Sequence, residues 1–148
     1  MYLISLTKEE LRQRFEQYNK DYFNNSLGNC EFHFLNKNIS ILGKYNEKKN
    51  SRGKISQIWI GRNIVWTDEL LKNVLIHEMV HMYNFTIDKC KCDGVLGHGS
   101  NFRRQCKRLK QDYGIIIKPH SFGCKVEYIM PPKKANFLWR LLSFIIDR

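Results

Sequence analysis

Apolar residues recur at two different periods along the chain, and the changes of period divide it into elements. Leu11, Phe15, Tyr18 and Tyr22 follow one another at steps of four, three and four, which puts them on one side of a helix running from Thr7 to about Asn25. Thr7 followed three residues later by Glu10 is a capping-box pair and marks the helix start. The polar residues 24–29 read as a loop. Three short β-like runs come next, Cys30 to Leu35, Ile39 to Tyr45 and Lys54 to Ile60. They predict a three-stranded antiparallel sheet with the basic residues 46–53 as an exposed hairpin loop. In the last run Ile58 and Ile60 share one face, while Gln57 and Trp59 share the other. Trp59 is therefore either an aromatic cover for the sheet or the lining of a cleft.

The helical period returns with Leu71, Val74, Leu75, Ile76, Val80 and Phe85. Thr67 is placed to cap this helix, and Asp68 and Glu69 suit the positive end of its dipole. Residues 86–96 are too long and polar for a tight turn and predict a loop bordering a cleft. A third helix begins near His98 or Ser100, carries Phe102, Cys106, Leu109 and Tyr113 on one side, and stops at Gly114. Residues 115–117 and 123–130 then read as a hairpin ended by Pro131 and Pro132. An apolar helix over about residues 134–147, interrupted by Arg140, is too short to span a bilayer. It either docks on the domain or marks a membrane-surface or partner contact. The expectation is one α+β domain over residues 1–148, with a core from about 7 to 130.

Composition narrows the setting. Lys and Arg exceed Asp and Glu to give a net charge of +11, so polyanions such as DNA are candidate partners. Residues 1–10 lack the basic and long apolar regions of a cleaved secretory signal. Five irregularly spaced cysteines do not form a disulfide framework and point to a reducing, cytoplasmic setting. Cys90 and Cys92 alone fall short of the four ligands of a thiolate metal site.

The chemistry is concentrated in the central helix, where His77, Glu78 and His81 form an HExxH string. Histidines at i and i+4 share a helix face with Cβ atoms about 6 Å apart, a spacing from which both rings can reach one zinc ion. Glu78 lies one step round the helix, where its carboxylate suits general-base work better than ligation. An open catalytic zinc site needs a third protein ligand, and His98, flanked by Gly97 and Gly99, offers one. The bland alternatives are satisfied, partly buried histidines or a structural zinc. Structural zinc usually takes four protein ligands and prefers cysteine, so three histidines beside a Glu fit the catalytic arrangement better. No oxyanion helper is identifiable: Tyr83, His120 and Tyr128 are candidates by residue type only, and His33 and His120 read more readily as ordinary surface or hydrogen-bonded histidines.

Two blocks, residues 75–83 (LIHEMVHMY) and residues 97–102 (GHGSNF), resemble the active-site helix and the GHGxxF third-ligand motif of the SprT-like zinc metallopeptidases. That family includes proteases acting on DNA–protein crosslinks. The resemblance runs from the first helix to about Tyr113. It implies a zincin-like α+β fold, Zn2+ held by His77, His81 and His98, Glu78 as the general base, and a protein or peptide substrate. Family members often carry a C-terminal zinc ribbon with paired CxxC motifs, and no CxxC occurs in these residues. The third helix also carries Arg103, Arg104, Lys107 and Arg108, a cationic surface suited to nucleic-acid contact. A second function class stays open, a basic nucleic-acid-binding module whose zinc site is structural or inactive. An extended substrate could pair with the edge of the Lys54 to Ile60 strand, and stable membrane insertion is not expected.

Overall fold

A computed structural model of the protein describes residues 2–3, 6–35, 41–90, 93–118 and 126–129. The elements are β1 (Tyr2–Leu3), α1 (Lys8–Phe23), β2 (Cys30–Leu35), β3 (Gly43–Asn50), β4 (Gly53–Gly61), β5 (Trp66–Thr67), α2 (Asp68–Thr86), a 3-10 turn (Val95–Gly97) and α3 (Ser100–Tyr113). This is the expected α+β, zincin-like arrangement of three helices and a small sheet.

Helix α1 starts where the capping box places it. The Glu10 amide donates to the Thr7 hydroxyl at 3.1 Å, and the Thr7 amide donates to the Glu10 carboxylate at 2.7 Å. Its far end is turned by Asn24 in the left-handed region. Buried Asn19 then guides the chain into β2: its side-chain amide donates to the Leu27 carbonyl at 2.9 Å and accepts from the Leu27 amide at 3.1 Å.

The sheet has the order β2-β4-β3 and is mixed rather than antiparallel throughout. β3 and β4 form a hairpin, and β2 lies parallel to β4 with Phe32 opposite Ile58. Apolar alternation sets the face each strand presents but not its neighbour, so the order 2-4-3 and the parallel pair were not readable from it. The hairpin is also longer than expected. Asn50 pairs with Gly53, leaving Ser51 and Arg52 as a two-residue turn, so most of the basic 46–53 segment is strand.

One face of the sheet meets the helices. Phe32, Ile58 and Ile60 are buried there with Leu11, Phe15, Leu71, Leu75, Ile76 and Met79, and the Phe15 and Phe32 rings meet edge-on at 5.6 Å. Residues alternating with these occupy the other face, where His33 stacks on Trp59 at 4.5 Å and Gln57 donates to Glu31 at 2.8 Å. Trp59 therefore covers the sheet and does not line a cleft beside α2. Trp66 is buried and donates its indole N–H to the Gly61 carbonyl at 2.9 Å.

After α3 the chain departs from the expected hairpin. Ile115 and Ile117 are buried without belonging to a strand. Residues 126–129 instead meet the segment before α2: Tyr128 bridges Ile64, the Val65 amide donates to Glu127 at 2.8 Å, and the Ile129 amide donates to Asn63 at 3.1 Å. The expected strand residues 123–125 and the apolar helix over 134–147 lie outside the described residues. Among the described residues, no helix is long and apolar enough to cross a membrane.

Because Asn19 satisfies two buried backbone groups, Asn19→Ala should cost about 2–3 kcal/mol of unfolding free energy. Thr7→Ala, which removes an exposed cap, should cost only about 1 kcal/mol. Urea denaturation of both variants checks the ranking, and equal losses would contradict it.

Candidate metal centre

Helix α2 forms because Thr67 caps it, its hydroxyl accepting from the Leu70 amide at 3.1 Å, and because Leu71, Leu75, Ile76, Met79 and Val80 give it a fully buried side. His77 and His81 leave this helix one turn apart. The 3-10 turn and the start of α3 bring His98 to meet them. Gly97 sits in the left-handed region at φ 70, and a Cβ there would lie 3.2 Å from the His81 ring, so both its conformation and its closeness to that ring suit a glycine.

The three imidazoles converge through their Nε2 atoms. The separations are 3.2 Å for His77 to His81, 3.1 Å for His81 to His98 and 3.1 Å for His77 to His98. The Nδ1 of His77 lies 3.1 Å from the Lys118 carbonyl, which can only accept, so Nδ1 carries the proton and Nε2 a bare lone pair. Burial, reinforced by His77 and His98, pushes the His81 pKa well below the ordinary histidine value, so its ring is neutral at neutral pH. Neutral, convergent imidazoles are the donor set of a divalent transition metal. Zinc–nitrogen bonds of about 2.0–2.1 Å in tetrahedral geometry place ligand nitrogens about 3.3 Å apart, which the observed triangle fits. These three residues are the group that could hold a metal ion among the described residues. The Phe102 ring backs all three, with centroids 4.9, 4.8 and 4.6 Å from His77, His81 and His98.

Glu78 points a different way from its histidine neighbours and is buried against β3. Its carboxylate accepts from the Tyr45 backbone N–H, while burial pushes its pKa up to about 8. The contact depends on Gly43: a Cβ there would lie 2.9 Å from Glu78 Oε1 and 2.7 Å from Val74 Cγ1. Backbone donors such as Tyr45 N–H, and acceptors such as the Lys118 carbonyl, leave no mark in a sequence. A glycine inside a β-like run does, since it signals close approach.

The structure brings together His77, Glu78, His81 and His98 and disperses several other candidates. Tyr83 packs on Phe23 of α1 with ring centroids 6.0 Å apart, and His33 is on the far face of the sheet. His120 and Cys92 lie outside the described residues. On α3, Arg104 is paired with Asp88 at 2.8 Å, and Arg108 bonds Gln105 at 2.9 Å while lying over the Phe23 ring. Arg103 and Lys107 are exposed.

A model of the SprT-like family matches residues 11–123, a span that includes all four residues of the centre. No curated protein shows a significant match to the chain.

A carboxyl group whose folded pKa is raised from 4.5 to about 8 contributes stability that is complete below the lower value and lost as pH rises through the upper one. An amide at this position does not titrate. In metal-free protein, Glu78→Gln should therefore gain melting temperature relative to the parent as pH rises from about 4.5 to about 8, then level off. A difference independent of pH would show that Glu78 is not a buried, protonated carboxyl in that state.

Proposed function

The chain belongs to the SprT-like family, and on that premise we propose that it is a zinc-dependent metallopeptidase. The observation that carries this reading is the approach of three histidine Nε2 atoms to 3.1–3.2 Å of one another, one residue away from a buried carboxyl. His77, His81 and His98 would hold the ion. A bound zinc supplies Lewis acidity, polarising a peptide carbonyl and acidifying water at neutral pH.

The remaining work belongs to the chain itself. Glu78 is the general base: its carboxylate accepts a proton from water and delivers it to the leaving amine. Its burial makes it a stronger proton acceptor than an exposed Glu, and the Tyr45 N–H fixes its position. A divalent ion nearby favours the ionised form that this role requires. Phe102 excludes water from one side of the imidazoles.

An extended substrate cannot add to β4, because β2 and β3 occupy both its edges. Among the described residues β2 and β3 each pair only with β4, and β3 is the one that lies against Glu78, so its outer edge is the one we assign to a substrate strand. Backbone pairing there gives affinity with little sequence selectivity, as suits a protein or peptide substrate of varied sequence. Proteins bound to DNA are the substrate class that the net charge of +11 favours, with Arg103 and Lys107 as the cations exposed for phosphate contact.

Elemental analysis should find one zinc per chain, reduced sharply when His77, His81 and His98 are replaced by Ala. Glu78→Gln should retain the zinc while peptide hydrolysis falls by about 10²–10⁴-fold. Full zinc content in the triple variant, or wild-type cleavage by Glu78→Gln, would contradict the assignments.

For the DNA contact, Arg103→Gln with Lys107→Gln should lower the salt dependence of DNA binding by roughly one to two phosphate contacts. Cleavage of a DNA-bound protein should slow more than cleavage of the same protein free in solution. Unchanged binding and equal effects on both substrates would remove the DNA role and leave the peptidase reading intact.

A further inference from the structure

The third histidine is delivered by a loop rather than by a helix, and that loop is closed by one buried carboxylate. Helix α3 has Gly99 as its N-cap, which offers no side chain to its free amides. Asp93, six residues upstream and 8% exposed, takes that place from outside the helix. One of its carboxylate oxygens accepts from the Asn101 amide at 3.1 Å and the other from the Phe102 amide at 2.5 Å. Its own backbone carbonyl accepts from the Gly99 amide at 2.6 Å. The chain between these contacts bends tightly, with Leu96 and Gly97 both in the left-handed region. The fit is close enough that a Cβ on Gly99 would lie 2.5 Å from the Asp93 carboxylate.

Both ends of this clasp bear on the metal centre. His98 sits inside the closed loop, and Phe102, whose amide Asp93 holds, is the ring behind all three imidazoles. A carboxylate at the start of a helix also offsets the positive end of the dipole, which would otherwise oppose a cation nearby. We propose that Asp93 is the positioning residue for the third ligand, clamping the first turn of α3 so that His98 is held for the metal. This rests on the metal-centre reading above. Asp93 is not itself a ligand or a substrate contact; it acts through His98 and Phe102.

The test uses the full chain and three variants, Asp93→Ala, Asp93→Asn and, as a remote cap deletion, Thr7→Ala. Zinc affinity is measured by competition with a chromophoric chelator, ligand geometry by the visible spectrum of the cobalt(II) form, and local order by amide exchange in metal-free protein. Asp93→Ala should weaken zinc binding by at least about tenfold, alter the cobalt spectrum and speed exchange at Asn101 and Phe102. Asp93→Asn, which keeps one acceptor oxygen, should fall between Asp93→Ala and wild type, and it carries the test if Asp93→Ala does not fold. Thr7→Ala should lose thermal stability while keeping its zinc affinity and cobalt spectrum. Wild-type zinc affinity in the Asp93 variants, or a loss no greater than that of Thr7→Ala, overturns the inference alone. A wild-type chain that binds no zinc overturns the metal-centre reading and the inference with it.

Discussion

Three imidazole Nε2 atoms lie 3.1–3.2 Å apart, and with their lone pairs turned inward, as metal ligation requires, that arrangement is unfavourable unless a cation or a proton lies among them. Packing has to hold the rings there. Two come from one turn of α2, whose opposite side is anchored by Leu71, Leu75, Ile76 and Met79, none of them accessible to solvent. The third comes from a loop, and the Phe102 ring braces all three. Fixing the His77 tautomer through the Lys118 carbonyl keeps the reactive nitrogen pointed inward. The packing of α2 against the sheet and of α3 against α2 thus serves a local electrostatic demand that the apolar core alone would not create.

The same helix carries a second unfavourable group. Glu78 is buried beside β3, and burial raises its pKa to about 8 with only the Tyr45 N–H working in the other direction. Gly43 makes this possible by leaving room for the carboxylate where any other residue would place a Cβ. Histidines that want a cation and a carboxyl that becomes easier to ionise beside one are complementary. Under the proposed peptidase reading, the protein places two of the three ligands and the general base on a long helix with one side fully buried, which is where precise placement is easiest to maintain.

Much of this was legible in the sequence because the signals are local. The Thr7–Glu10 box, the Thr67 cap, the helical spacing of His77 and His81 and the Gly114 stop each depend on residues within a turn or two of each other. The GHGSNF block likewise pointed to His98. What could not be read is long-range. The parallel pairing of β2 with β4 is a choice of neighbour that alternation does not encode. The Tyr45 N–H and the Lys118 carbonyl are backbone groups that any residue would supply. Nothing local marks Asp93 within the 86–96 loop, since its partners are amides eight and nine residues away. The pairing of Arg104 with Asp88 joins residues sixteen apart and is equally invisible to local pattern.

Anomalous diffraction at the zinc absorption edge, from crystals of the zinc-loaded protein, would locate the ion and its ligands. One strong peak is expected within bonding distance of the Nε2 atoms of His77, His81 and His98, with Glu78 outside the ligand set. A peak at other residues, or none at this triangle in protein shown to be folded, would contradict it.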